Sequence, residues 1–242
     1  MNYVFPLITV PYVSRIIGPD SYGIINYSYA FIAYFSILIA YGFDLTGTRK
    51  IARNPDDNQY VSSVFSQIVN ARILLFLASC LLFIVSLQFV SPLKQNLYVT
   101  VVIFASTISS VLIPQFIYQG KQHLSIFAVL NFFKGLVNTI LIFILIRHKE
   151  DFVVLPTLNF GIGLMSSVFL LTYAYKKFNL KYQWIKISDS VKLLYSERVI
   201  FFSTVVISIY TTTNTVILGL FANAADVGFF TVSLNLANII SS

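Results

Sequence analysis

The chain has 242 residues, of which 57% are Ala, Val, Ile, Leu, Met, Phe, Trp, Tyr or Cys and only 10% are Asp, Glu, Lys or Arg; its mean hydropathy is +0.80. A water-soluble domain carries roughly a quarter of its residues charged. The composition therefore argues against a soluble enzyme, and the chain reads as all-α, a polytopic transmembrane helical bundle. The formal charge of +7 sits between the apolar runs, which gives nucleic-acid binding little support.

A helix needs about 20 apolar residues at ~1.5 Å each to cross the hydrocarbon core. In chain order, spans are expected at 1–17 (short), 24–41, 68–90, 97–117, 125–146, 156–175 and 199–221, with an eighth opening at Val227. Met1 enters an apolar run without a lead and Ser242 ends one without a flank. The expectation is a fragment: an N-terminal six-helix lobe over 1–175, a basic linker over 176–198, and the first helices of a second lobe over 199–242. No basic n-region or small-residue cleavage site marks a signal peptide. The lone Cys80 excludes a disulfide framework within the chain.

Charge sorting sets the expected orientation. With a cytoplasmic N-terminus, inside loops hold Arg49, Lys50, Arg53, Lys121, Lys176, Lys177, Lys181, Lys186, Lys192 and Arg198, and outside loops hold Arg15, Lys94, Arg147 and Lys149. That asymmetry follows the positive-inside rule. In 176–198, Trp184, Ile185, Ile187, Val191, Leu194 and Tyr195 interleave with lysines. This pattern suits a short amphipathic helix in the membrane interface, unless the lysines only orient the protein.

A short repeat supports two halves. Pro19-Asp20-Ser21-Tyr22-Gly23 opens the second span and Ala225-Asp226-Val227-Gly228 opens the eighth; in each, the acidic residue is expected to cap a helix start.

Charge inside a membrane costs about 2.5–3.5 kcal/mol on insertion scales, so each instance needs a reason. Lys134 lies nine residues into the fifth span, which is ~14 Å deep at ~1.5 Å per residue. Asn131, Lys134 and Asn138, at i, i+3 and i+7, share one helix face; the stripe faces either a water-filled cavity or a partner helix. Thr204, Ser208, Thr211 and Thr215 form a neutral stripe in the seventh span, widened by Thr212, Thr213 and Asn214. Such hydroxyls line cavities or join helices. Arg72 reads either as a snorkelling anchor or as part of a cationic cavity with Arg49 and Lys134 able to hold phosphate. Asp44 and Arg49 flank a Gly-containing break, where a local salt bridge is possible. There is no Gly-rich phosphate loop, and His123 and His148 have no ligand-spaced partners, so neither cofactor nor metal is expected.

Several segments together resemble bacterial polysaccharide-repeat-unit flippases, the O-antigen and capsule branch of the multidrug/oligosaccharidyl-lipid/polysaccharide exporter superfamily. They are Pro11-Tyr12-Val13-Ser14-Arg15-Ile16-Ile17-Gly18-Pro19-Asp20-Ser21-Tyr22-Gly23, Tyr41-Gly42-Phe43-Asp44 with Thr48-Arg49-Lys50-Ile51-Ala52, Pro114-Gln115-Phe116-Ile117-Tyr118-Gln119-Gly120, Tyr210 with Asn214-Thr215-Val216-Ile217-Leu218-Gly219, and Val227-Gly228-Phe229-Phe230. The resemblance implies two six-helix lobes around a cationic cavity in a bacterial inner membrane. It also implies alternating access, export of an undecaprenyl-diphosphate-linked oligosaccharide, and polysaccharide polymerase machinery as a partner. On that reading Arg49, Arg72 and Lys134 hold the diphosphate and Asn131, Asn138, Thr211 and Asn214 meet sugars. The alternatives are a drug or metabolite antiporter, which intramembrane carboxylates such as Asp44 would favour, and a non-transporting fragment.

Overall fold

The structure, a computed structural model, describes residues 4–240, without the side chains of 4, 210–212, 236 and 238–240. Its described regular elements are all helical. The first, α1 (Val4–Ala40), is broken at Gly18, whose φ of 79° and ψ of 165° are not helical. A positive φ comes without steric cost only to glycine. Pro19 has no N–H to leave unpaired and starts the second arm with its φ already set.

The two arms run in opposite senses. In the first, Phe5 packs on Phe132 with ring centroids 5.9 Å apart. Further along, Tyr12 packs on Phe143 at 4.2 Å and donates to the Ile146 carbonyl at 3.0 Å. The first arm thus rises beside α8 (Ser125–Leu145), and Gly18 reaches Lys149 just beyond that helix. The second arm returns: Tyr29 accepts a hydrogen bond from Asn159, and Tyr41 at its far end donates to the Leu194 carbonyl at 3.1 Å. The expected spans 24–41 and 1–17 are therefore arms of one broken helix, although residues 1–3 lie outside the described part.

Left-handed conformations at Tyr41 and Gly42 then turn the chain into α2 (Phe43–Arg53), with Asp44 in its first turn and Lys50 and Arg53 in its last, the order that complements a helix dipole. The segment read from sequence as a distorted break is a regular amphipathic helix that buries Phe43, Thr46, Gly47 and Ile51. Asp57 caps α3 (Asn58–Phe89), accepting from the Gln59 and Tyr60 N–H groups at 3.0 and 2.9 Å. After the short α4 (Ser91–Gln95), the fourth expected span is built from α5 (Leu97–Ser106), α6 (Ile108–Leu112) and α7 (Gln115–Gly120). Thr107, bonded to the Phe104 carbonyl at 2.7 Å, marks its first break. Pro114, which cannot donate to the preceding turn, marks the second.

Past α8, Asp151 accepts from the Arg147 and His148 N–H groups and closes a tight turn into α9 (Val154–Lys177). Residues 178 and 179 turn the chain, with Asn179 in the left-handed region; 180–186 have no regular secondary structure, and the Lys181 and Gln183 N–H groups donate to the Ser62 and Ser66 hydroxyls on α3. The expected separate linker helix is thus absent: 187–198 form the first turns of α10 (Ile187–Phe221), which runs on into the seventh span. The last element is α11 (Ala224–Ile240).

Five helical units are long and apolar enough to cross a membrane, Phe5–Arg53, Asn58–Phe89, Leu97–Gly120, Ser125–Leu145 and Lys149–Lys177; Ile187–Ile209 with Thr213–Phe221, bent by 49°, makes a sixth. Lipid is as apolar as leucine, so packing detail and hydrogen bonds rather than hydrophobic burial hold the helices together. Near one end Phe83 stacks on Phe104 at 4.1 Å, with Phe35 edge-on to both. A second buried cluster around Phe43, Phe65, Ile68, Phe116 and Tyr118 closes the other end.

Candidate substrate pathway

The most buried charge is Arg72, 1% exposed on α3. It donates to Asp44 Oδ1 of α2 at 2.9 Å and to the Ile113 carbonyl at 2.9 Å, and lies 5.5 Å from the Phe116 ring centre. Ile113 sits at the break before Pro114, where a carbonyl is free of its helical partner. Arg72 is therefore no snorkelling anchor. It binds three elements at once, and Asp44 pairs with it rather than with Arg49, which is exposed on α2. In the described conformation Arg72 is sealed and Arg49 exposed, so the two do not share an open surface.

The stripe on α8 divides. Asn138 donates to Asn159 of α9 at 3.2 Å, and Asn159 donates to the Tyr29 hydroxyl at 3.0 Å, a relay tying α8, α9 and α1 together. Asn131 and Lys134 are exposed and Asn138 half-buried, and all three border a groove of about 350 Å³ with Phe5, Pro6 and Thr9 of α1. The groove exists because α1 and α8 approach closely: a Cβ on Gly135 would collide with the Phe5 ring. A protruding ammonium beside a carboxamide and a hydroxyl, with no acidic group lining the groove, has the donor set and charge to meet an anion.

In α10, Thr213 shares a 2.9 Å hydrogen bond with Tyr34 of α1, Thr204 bonds its own Ile200 carbonyl, and Thr215 is buried. Asn214 is exposed, whereas the side chains of Thr211 and Thr212 lie outside the described structure. Much of this face is thus spent on helix contacts. The repeat has a use the sequence did not reveal. A Cβ on Gly23 would strike the Ala224 carbonyl oxygen, and one on Gly228 would strike the Pro19 carbonyl oxygen, so the two copies cross each other reciprocally. Asp226 is not an N-cap but a first-turn residue that accepts from the Asn223 N–H at 3.3 Å, and Asp20 is exposed inside the second arm of α1.

Residues 1–242 match the model of the family described as polysaccharide biosynthesis protein. The chain belongs to this family. It is 25% identical over 239 residues to a protein of Escherichia coli (strain K12) named "Putative O-antigen transporter", a match covering 98% of this chain and 57% of that protein. It is also 25% identical over 236 residues to a protein of the same name from Shigella dysenteriae, covering 93% of this chain and 58% of that one. The chain thus spans a little over half the length of these relatives. No solved structure matches it. As a family member with these apolar helices, it is a multi-pass protein of a bacterial inner membrane.

Within this family chain, sequence reasoning missed Tyr29 and Asn159, although an amide four residues into an otherwise apolar span is the kind of signal that flags an intramembrane bond. It also missed the ion pair of Lys50 with Glu197, 2.7 Å long, between α2 and α10. Glu197 had been hidden among the lysines around it.

Proposed function

We propose that the protein belongs to a transporter that moves undecaprenyl-diphosphate-linked oligosaccharide repeat units across the inner membrane, where a polymerase joins them into surface polysaccharide. The observation that carries this reading is Lys134, an exposed cation about midway along a membrane-crossing helix of a polysaccharide-family chain. A resident charge there costs about 2.5–3.5 kcal/mol, and a passing diphosphate would offset it. Lys134 compensates the phosphates, Asn131 and Thr9 supply neutral partners beside it, and Arg49, exposed on α2, meets the headgroup. Arg72, sealed by Asp44, holds α3 against α2 and the break at Ile113 instead.

Deleting the gene in the cell that makes it tests this. Transport predicts that surface polysaccharide is lost while the lipid-linked repeat unit is still made and accumulates on the cytoplasmic leaflet. If the lipid-linked unit is no longer made, the protein acts in synthesis; if surface polysaccharide is unchanged, the reading is wrong.

A further inference from the structure

Residues 180–186 join α9 to α10 along the surface of α3. The Lys181 and Gln183 N–H groups donate to the Ser62 and Ser66 hydroxyls, and the Tyr182 hydroxyl donates to Asn70 Oδ1 at 2.9 Å. Ser62, Ser66 and Asn70 lie at i, i+4 and i+8, so the segment climbs about 12 Å of α3 to the edge of that helix's uncharged run, 73–89. At this edge Trp184 is 92% exposed, with its ring centre 6.4 Å from that of Tyr182. Beyond it, Ile187, Val191, Tyr195, Val199, Phe202 and Val206 are exposed at helical spacing, one apolar face that leads without a break into the membrane-crossing part of α10. Such a patch marks a protein or membrane contact, and its continuity with a span favours lipid.

The surrounding charge selects the kind of lipid. Between residues 176 and 198 six basic residues outnumber two acidic ones, and both acids are occupied: Glu197 pairs with Lys50 at 2.7 Å and Asp189 with Lys192 at 3.5 Å. Lys181 and Lys186, on either side of Trp184, are exposed and have no acidic partner among the described residues. We infer that residues 180–187 are an interfacial anchor for anionic phospholipid, with Trp184 seated at headgroup level and Lys181 and Lys186 bound to lipid phosphates. Tryptophan and tyrosine settle at the membrane–water boundary, and juxtamembrane lysines draw anionic lipid to it. The bonds to Ser62, Ser66 and Asn70 hold these side chains at the surface without a separate amphipathic helix. Lipid binding there fixes the level at which α10 enters the membrane. The anchor shares no residue with the Lys134 groove and does not depend on the transport reading.

Trp184 is the single tryptophan of the chain, so its fluorescence reports this site alone. The test places the purified chain in nanodiscs of phosphatidylcholine and phosphatidylglycerol, with one lipid or the other brominated in its acyl chains. Both brominated lipids should quench Trp184, and acrylamide in the water should quench it only weakly. At equal mole fraction, brominated phosphatidylglycerol should quench about two- to fivefold more strongly than brominated phosphatidylcholine, the upper figure being one lysine's attraction to an anionic surface. That preference should vanish in the double variant Lys181→Gln, Lys186→Gln, whose positions are exposed, and persist in Lys94→Gln, an exposed lysine past the far end of α3. Strong acrylamide quenching without quenching by either lipid would place Trp184 in water, free for a protein partner, and overturn the anchor. Equal quenching by the two lipids, or a preference that survives the double variant, would overturn the anionic site.

Discussion

Arg72 makes two hydrogen bonds to two different elements from one guanidinium, a fork that lysine cannot reproduce. Arg72→Lys and Arg72→Met should both destabilise the solubilised protein, the second by about 1–3 kcal/mol, because the Ile113 carbonyl and Asp44 lose their buried donor. Asp44 is about one-third exposed, with a side-chain accessibility of 35%, so Asp44→Asn should cost less. Equal stability of Arg72→Met and the parent would return Arg72 to the list of substrate-binding candidates. The sequence marks Arg72 as a charge in an apolar run but not its partner, 28 residues away, because pairing across helices depends on how α2 docks. Asn138 was legible as polar for the same reason, while its role as a bridge required the position of Asn159.

Glycines show what close approach contributes at the scale of elements. Gly23→Ala and Gly228→Ala place a methyl against backbone carbonyls, which cannot move as a side chain can, so each should destabilise by about 1–3 kcal/mol or more. Gly161→Ala, with nothing within 4 Å of the added carbon, should be neutral or slightly stabilising as the helix propensity improves. Thermal scans of the three variants check this, and equal behaviour would remove the crossing from the account. For α8, cysteines at Asn131 and Lys134 should react readily with a water-soluble thiol reagent, and one at Asn138, half-buried on the groove wall and bonded to Asn159, should react more slowly. Equal protection at all three would make the groove a dry contact. Spans were legible because apolar runs are long. The continuity of α10 was not, since Asp189, Lys192, Glu197 and Arg198 interrupt hydropathy without interrupting the helix. The bend at Gly18 and the short α2 were read as loop and break, because composition does not report φ.

Across the whole molecule, the segments expected on one membrane face do gather at one end. There Lys50 pairs with Glu197, Lys121 donates to the Pro55 carbonyl, and the Lys181 N–H donates to Ser62. Gly18 with Lys149, and Gly23 with Ala224, mark the other end. The charge bias assigns the first end to the cytoplasm. A reporter fused after Lys181 should read cytoplasmic and one after Lys149 external; the reverse pair would invert the bundle. The two-ended arrangement followed from alternating spans, while the reciprocal packing of α1 on α11 lay beyond the sequence, where each repeat copy looked like an isolated helix start.

The most direct measurement of the transport account is surface polysaccharide in cells whose chromosomal gene carries Lys134→Ala or Lys134→Arg, with membrane levels of the protein quantified alongside. A diphosphate crossing beside α8 needs a cation there. Export should therefore be lost in Lys134→Ala at normal protein levels and partly kept in Lys134→Arg, whose charge persists with a different geometry. Normal export in Lys134→Ala would contradict the account.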